Sequence, residues 1–428
     1  MPHSPDAEPR TTDVAVIGGG PGGSTIATLL ARKGWRVELF EKEAFPRFHI
    51  GESLLPRNLP LLERLGVLEE TRRIGIPKHG AEFIPQIAEH QRHTFYFARS
   101  LKPGAGYAFE VPRARFDRVL LDNATRHGVA VHQPARVRQV DLGSGAQAHR
   151  LAVEEADGSA GEVACRFVVD ASGRDTLLSR SLEWKRKHPH HDMAAIYAHC
   201  RGAVRREGLD EGNISIYWFE HGWIWLIPLP DGVMSVGAVC RPAYLKGRDK
   251  PLAEFFWDTV RQCPGAWERL RDAELDGEVS GTGNYSYRSR RAYGNRFLLV
   301  GDAYTFLDPV FSSGVLLAMS GAEMGADAVD RALRRPALAR YHLWRHQARL
   351  DRTIARIAWF IYRFNSPAMQ RLFSTATDAD PARKNFLGIE AAVTSLLGGD
   401  FFDPRGIRLP LTLFKGIYYA TAWRHRQA

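Results

Sequence analysis

Residues 13–41 read DVAVIGGGPGGSTIATLLARKGWRVELFE, and the order of residue types in this stretch decides the fold. Asp13–Ile17 is a run of β-branched and small apolar residues, the pattern of a strand buried on both faces of a parallel sheet. It passes directly into Gly18-Gly-Gly20-Pro-Gly-Gly23, after which Ser24–Lys33 reads as a helix of small and aliphatic residues stopped by Gly34. Arg36–Phe40 is a second strand, closed by Glu41, so the stretch is one βαβ unit. Gly18, Gly20 and Gly23 match GxGxxG: the first permits the tight turn, the second lets backbone approach a pyrophosphate, and the third lets helix pack on strand. The helix start adds free N–H groups and a positive dipole end for that anion. Glu41, 23 residues after Gly18, sits where a carboxylate accepts from ribose hydroxyls. A glycine-rich turn alone is a weak signal; with strand, helix and acid in register it reads as a dinucleotide site.

Outward from this unit, Arg57–Leu68 and Arg115–Arg126 read as helices, and residues 129–170 alternate like a β-meander ending in Phe167–Asp170. Ile214–Val239 reads as a hairpin around Pro230-Asp-Gly232, Phe297–Val300 as a buried strand, and Gly314–Leu333 as a Gly/Ala-rich helix. The expected fold is α/β: a Rossmann-like dinucleotide-binding domain assembled from residues 12–79, 113–180 and 291–334, an inserted β-sheet substrate domain from 80–112 and 181–290, and a basic helical C-terminal region over 335–428. The 428 residues suit such a two-domain chain, and 44% hydrophobic with 25% charged residues is an ordinary globular composition. Residues 1–11 read as a disordered leader without the apolar core of a signal peptide. The apolar runs Phe297–Val300 and Ala358–Ile361 are far too short to span a membrane.

Cys165, Cys200, Cys240 and Cys263 show no CxxC spacing, which excludes a disulfide scaffold and a zinc ribbon, predicts no metal site, and suits the reducing cytoplasm. Of the net charge of +10, nearly all lies beyond Arg334, where 15 Lys/Arg face 6 Asp/Glu. A solvated helical face and a docking surface for an acidic partner both fit that excess. Nucleic acid does not, because no nucleic-acid-binding signature accompanies the charge.

Phe297-Leu-Leu-Val-Gly-Asp302-Ala delivers a Gly-Asp pair from a buried strand and resembles the second fingerprint of the FAD-dependent hydroxylase superfamily, which implies that Asp302 bonds the ribityl chain. Phe167–Asp175 (FVVDASGRD) resembles the middle motif of the same superfamily. The order of the three motifs favours FAD over NAD, and a single glycine fingerprint leaves no second Rossmann domain for NAD(P)H. Two further segments narrow the resemblance. Arg47-Phe-His-Ile-Gly-Glu52-Ser53-Leu-Leu-Pro56 resembles the loop after the first βα unit of flavin-dependent halogenases, placing Arg47, Glu52 and Ser53 beside the cofactor. Gly222-Trp223-Ile-Trp225-Leu-Ile227-Pro228 is similar to their WxWxIP signature. Two tryptophans at i and i+2 otherwise describe one face of a half-buried strand. The resemblance implies that Trp223, Trp225, Ile227 and Pro228 separate substrate from flavin and suppress direct oxygen transfer.

Phe306-Leu-Asp308-Pro309-Val-Phe311-Ser312-Ser313-Gly314 resembles the halogenase FxPxSxG motif. It is a turn feeding a helix start, where unpaired N–H groups form an anion site. In this family that site takes halide beside the flavin, which implies Ser313 and Gly314 here. Pro77-Lys78-His79-Gly80-Ala81-Glu82-Phe83 resembles the Lys-aromatic-Gly-Ala-x-Phe stretch of the branch acting on phenols, pyrroles and carrier-bound aromatics. It implies that Lys78 meets hypohalous acid arriving from the flavin. An ammonium there polarises the acid; a neutral amine, which burial favours, forms a haloamine. Tryptophan-specific members are longer and carry a glutamate where this chain has Phe311, which argues against free tryptophan and leaves the proton acceptor open between Glu82 and His79.

The resemblance as a whole implies an FADH2-dependent halogenase. Reduced FAD from a separate flavin reductase reacts with O2 to give the C4a-hydroperoxide, chloride or bromide is oxidised, and an electron-rich aromatic, free or tethered to an acyl carrier protein, is halogenated. An FAD monooxygenase that uses NAD(P)H itself is the nearest alternative, and a non-catalytic flavin-binding protein a more distant one. Arg345, Arg349, Arg352 and Arg356, spaced 3–4 apart, share one helical face on which an acidic carrier would be met.

Overall fold

In the computed structural model, residues 10–85, 92–102, 104–189, 192–283, 286–374 and 388–427 are described. The first strand, Arg10–Ile17, lies at the centre of a parallel sheet, flanked by Val37–Phe40 on one side and Ala160–Asp170 on the other. Phe297–Leu299 extends the sheet beyond Ala160–Asp170, and Ala130–His132 beyond Val37–Phe40. Val14, Ala15 and Val16 are wholly buried, as a strand covered on both faces requires. The strand begins at Arg10, so residues 10 and 11 belong to the sheet rather than to a leader; residues 1–9 lie outside the described residues.

Gly18 carries the turn out of the strand at φ +100°, a conformation that L side chains resist. The helix Pro21–Arg32 follows and packs against two others, Arg113–Arg126 and Ser313–Arg334. The helix expected over Arg57–Leu68 is broken: Leu59–Leu65 ends at Gly66 in the left-handed region (φ 80°), and Leu68–Ile74 begins anew.

The second sheet runs in the order Glu274–Leu275, Ala194–Arg201, Val233–Cys240, Gly222–Pro228, Ile214–Phe219, Gly80–Ile84, His93–Tyr96, with Ser280–Thr282 also paired to Ala194–Arg201. The segment expected as one hairpin is a three-stranded meander, because Glu220 and His221 make a further turn between Ile214–Phe219 and Gly222–Pro228. Its strands are buried on both faces, so no polar alternation marks that turn in the sequence. The helices Leu252–Arg261 and Pro264–Leu270 cover one face. The other face packs against C-terminal helices Ala339–Ile361, Pro367–Ser374, Ile389–Leu397 and Arg408–Gln427. There Phe83, Trp218, Phe311, Phe364 and Phe373 meet with ring centroids 4.7–6.4 Å apart. Full burial of such side chains contributes about 1.5–3 kcal/mol each, so this aromatic cluster is what fastens the C-terminal helices to the sheet. Among the described residues no helix is long and apolar enough to cross a membrane, no group of His, Cys, Asp or Glu has metal-binding geometry, and all four cysteines are buried free thiols.

Candidate functional site

A cavity of about 870 Å³ opens between the two sheets and is bordered by Gly18, Gly20, Glu41, Arg47, Ser53, Asp302 and the start of the helix Ser313–Arg334. The three glycines divide their tasks. A Cβ on Gly23 would stand 1.9 Å from the Gly18 carbonyl oxygen, and one on Gly18 2.3 Å from that of Ala171, so both sit against backbone. A Cβ on Gly20 would meet only the Arg47 guanidinium at 3.7 Å. Gly20 therefore leaves a cradle between a helix start and a cation, suited to a pyrophosphate.

Glu41 is 4% exposed, and its carboxylate accepts from the Gly19 N–H at 2.7 Å and the Glu43 N–H at 3.0 Å. It braces the glycine turn as well as bordering the cavity. Arg47 reaches Glu43 at 3.3 Å and Asp117 at 3.5 Å. Asp302 borders the cavity with its carboxyl pushed up to about 6 by burial, against the pull of Arg113 and Arg174.

At the far end, Ser312 holds the left-handed conformation at φ 53° and makes no side-chain cap to the helix that follows. The Ser313 and Gly314 backbone lies in the first turn, whose N–H groups have no carbonyl within the helix to donate to. A Cβ on Gly314 would meet nothing within 4 Å, so this helix start faces open cavity.

Cross-strand pairing sets one face of the second sheet. Phe83, Ile216, Trp225, Gly237 and Tyr197 stand opposite one another in successive strands. Trp223, Trp225 and Ile227 share that face and border the cavity. The Trp225 indole lies flat over Gly237, where a Cβ would come within 2.3 Å of the ring, and its Nε1 donates to Ser235 Oγ at 3.2 Å. Pro228, expected in the same partition, has the opposite parity and does not border the cavity, because successive residues of a strand point to opposite faces.

The same parity removes Glu82. It stands opposite Ser215 on the other face, wholly buried, accepting from Ser215 Oγ at 2.9 Å and Arg206 Nε at 3.1 Å, with Arg92 at 3.6 Å. Its carboxylate is an arginine counter-ion held away from the cavity. His79 is half-buried in the link between the strands Ile76–Lys78 and Gly80–Ile84, its ring 6.3 Å from Tyr107, and it does not border the cavity.

Lys78 is 1% exposed and does not border the cavity directly. Its Nζ donates to Ser53 Oγ at 2.7 Å and to the Leu54 carbonyl at 3.2 Å, and it lies 5.4 Å from the Phe97 ring centre. Ser53 does border the cavity, so the residue that accepts from the ammonium also lines the larger space. Burial draws the Lys78 ammonium below its usual range, opposed by the charge of Glu110.

Sequence reasoning passed over four residues here. Glu110 is wholly buried, accepts from Ser53 Oγ at 3.1 Å and stands 3.8 Å from Lys78 Nζ. Glu52 pairs with His199 Nε2 at 2.8 Å. Arg113 is held by Asp117 at 2.7 and 2.9 Å, and its Nη1 donates to the Ile50 and Gly51 carbonyls, pinning the loop that carries Glu52 and Ser53. The available signals were single charges inside apolar runs, Glu110 in Ala108-Phe-Glu-Val111 and His199 in Ala194–Cys200, together with an Arg–Asp pair at i, i+4.

A domain model described as an FAD binding domain matches residues 11–348. Over 422 residues, 93% of this chain and 91% of the relative, the sequence is 29% identical to a 1H-pyrrole-2-carbonyl-[peptidyl-carrier protein] chlorinase of Pseudomonas fluorescens. It is 31% identical over 420 residues to the corresponding brominase of Pseudoalteromonas luteoviolacea, covering 96% of this chain and 97% of that one. The solved structure of a myxobacterial chondrochloren halogenase, an FAD-dependent variant, superposes with a TM-score of 0.79 at 32% identity, over 95% of this chain and 97% of that chain. The chain belongs to the flavin-dependent halogenases. The matched domain spans the cavity with the Gly20–Arg47 cradle, and the open helix start at Ser313 and Gly314 lies in the same chamber. The basic helix is only partly a free face: Arg345, Arg349 and Arg352 are exposed, while Arg356 is half-buried and donates to the Phe401 carbonyl at 2.9 Å.

Proposed function

We propose that the halogenase uses reduced FAD, O2 and chloride or bromide to halogenate an electron-rich aromatic of the pyrrole or phenol type, through Lys78. The carrying observation is that one cavity is bordered by the pyrophosphate cradle, by the open helix start at Ser313 and Gly314, and by Ser53, the residue to which Lys78 is hydrogen-bonded. When bound, reduced FAD would activate O2, the oxidant that converts halide to hypohalous acid. Gly20 and Arg47 hold its pyrophosphate and Asp302 its ribityl chain. The Ser313 and Gly314 N–H groups hold the halide, as fits an anion at a helix start. Trp223, Trp225 and Ile227 wall the cavity from the aromatic cluster behind them and keep the ring from direct oxygen transfer. Lys78 receives the hypohalous acid and either polarises it as an ammonium or takes the halogen as an amine.

A carrier-tethered pyrrole is favoured within this class. The two relatives named for that chemistry match over nine-tenths or more of both chains. The exposed arginines offer a surface for an acidic carrier. A separate reductase supplies the reduced flavin, and the setting is cytoplasmic.

The deciding experiment gives the protein reduced FAD and halide with carrier-bound pyrrole, free pyrrole-2-carboxylate, phenols and indoles, read by mass spectrometry. Halogenated product that Lys78→Ala abolishes, with FAD affinity unchanged, is expected. Oxygenated product with substrate-stimulated NADH consumption would move the protein to the hydroxylases. No oxidation of a general hypohalous-acid trap would mark a non-catalytic flavoprotein.

A further inference from the structure

Among the described residues, the groups paired with Lys78 (Ser53, Leu54 and Glu110) are all buried. Its strand, Ile76–Lys78, pairs with Ala108–Glu110, and Ser53 bridges to Glu110 across a third segment. The result is an unbroken chain: Lys78 Nζ donates to Ser53 Oγ at 2.7 Å, and that hydroxyl donates to Glu110 Oε1 at 3.1 Å. Among the described residues, Glu110 Oε2 is buried with no hydrogen-bond partner.

The charged groups near the chain come from each element packed against it. Glu110 stands 3.8 Å from Nζ. Glu52, on the loop that carries Ser53, has its Oε1 tied to His199 of the second sheet. Arg113, at the start of the helix that follows Glu110, is committed to Asp117 and to the Ile50 and Gly51 carbonyls. Glu110 is therefore the carboxylate in contact with the lysine chain, while the other ions are matched elsewhere.

We propose that Glu110, acting through the Ser53 hydroxyl, is the positioning residue that sets the protonation state of Lys78. This rests on the reading of Lys78 as the group that meets the oxidised halogen. The transfer is internal and balanced: an Nζ proton passes to Ser53 Oγ as the Ser53 proton passes to Glu110 Oε1, converting ammonium and carboxylate into amine and carboxylic acid. Reversal restores the ammonium, with Ser53 unchanged in either direction. Burial weakens both charged forms, drawing the ammonium down and pushing the Glu110 carboxyl up to about 8, so the two proton affinities move toward each other. A lone buried amine would lose its proton to solvent. With Glu110 beside it, Lys78 keeps a proton it can lend to a departing oxygen and recover. The role fills the place left open by Glu82, caged on the far face, and by His79, which sits between two strands beside Tyr107 and off the cavity wall.

The test is direct titration of Lys78. The chain has ten lysines, so ε-13C-lysine-labelled protein gives a tractable spectrum, with the Lys78 signal assigned by its loss in Lys78→Arg. Glu110→Gln keeps the shape and removes the charge, and it should lower the Lys78 titration midpoint by about 1–3 pH units, the usual effect of an opposite charge at this range. Ser53→Ala should move it in the same direction by less, and it gives the answer if Glu110→Gln does not fold. Glu110→Asp should restore most of the native midpoint. The limb of the halogenation pH profile that follows Lys78 should move with the midpoint. A Lys78 midpoint unchanged in both Glu110→Gln and Ser53→Ala would overturn the proposal. Native halogenation by Lys78→Ala would instead overturn the catalytic reading of the lysine and leave the titration result standing, so the two failures are distinguishable.

Discussion

Replacing Gly237 with alanine tests whether the sheet holds Trp225 flat against the cavity wall. A Cβ at this position would lie 2.3 Å from two atoms of the Trp225 six-membered ring and 2.8 Å from a third, so the ring, which borders the cavity, must shift. Overpacking of this kind costs about 1–3 kcal/mol. Tilting the indole also strains its 3.2 Å hydrogen bond to Ser235, a further loss on the order of 1 kcal/mol. Against this, the lower entropy of the unfolded alanine chain returns about 0.4–1 kcal/mol. The net expectation is a loss of about 1–3 kcal/mol, which for a chain of 428 residues is a fall in Tm of roughly 1–3 °C. The assay is a thermal or urea melt of Gly237→Ala, alone and combined with Trp225→Leu. Trp225→Leu by itself leaves a cavity and destabilises by a few kcal/mol, but it removes the ring that alanine would strike. In that background Gly237→Ala should cost nothing or stabilise slightly, a coupling on the order of 1–3 kcal/mol between the two sites. Equal effects of Gly237→Ala in both backgrounds would refute the packing argument, whatever their size.

Further predictions concern the cofactor cradle, pH and the basic helix. Gly23→Ala should destabilise the fold, since its Cβ meets the Gly18 carbonyl oxygen at 1.9 Å, whereas Gly20→Val should fold normally and weaken FAD at least tenfold by filling the cradle; melts and flavin titration separate the two. For His199, burial lowers the pKa, but the hydrogen bond and charge of Glu52 outweigh it and the net shift is upward. Its stabilising pair is therefore complete below the ordinary histidine pKa of about 6.5 and is lost as pH rises through the raised value, so His199→Gln should lower Tm more at pH 5.5 than at pH 9. A difference that grows with pH would contradict this. Charge reversal of Arg345 and Arg352 together should slow turnover of a carrier-bound substrate several-fold at low salt and little at high salt, with the free acid unaffected; equal turnover of both forms would count against docking there.

Much of this protein is legible along the chain. The βαβ unit, the glycine turn and the buried strand leading to Gly301-Asp302 are contiguous patterns, and contiguous patterns are set by local backbone geometry and hydrophobic period. Trp223 and Trp225 were legible as one face because strand residues alternate, whereas Ile227 was grouped with Pro228, which that alternation separates. The same alternation settles what the motifs leave open, but only once the partners are known. Glu82 and Phe83 are adjacent in sequence, yet pairing with Ser215 and Ile216 sends one into an arginine cage and the other into the aromatic cluster. The third strand of the meander was hidden because burial on both faces erases the period that would mark its turn. The Lys78–Ser53–Glu110 chain was out of reach for a different reason. Its members are 25 and 32 residues apart and come from a loop and two short strands, and no local pattern records which buried polar groups will meet. Burial forces such groups to find partners; which partners they find is decided by the tertiary packing that encloses them.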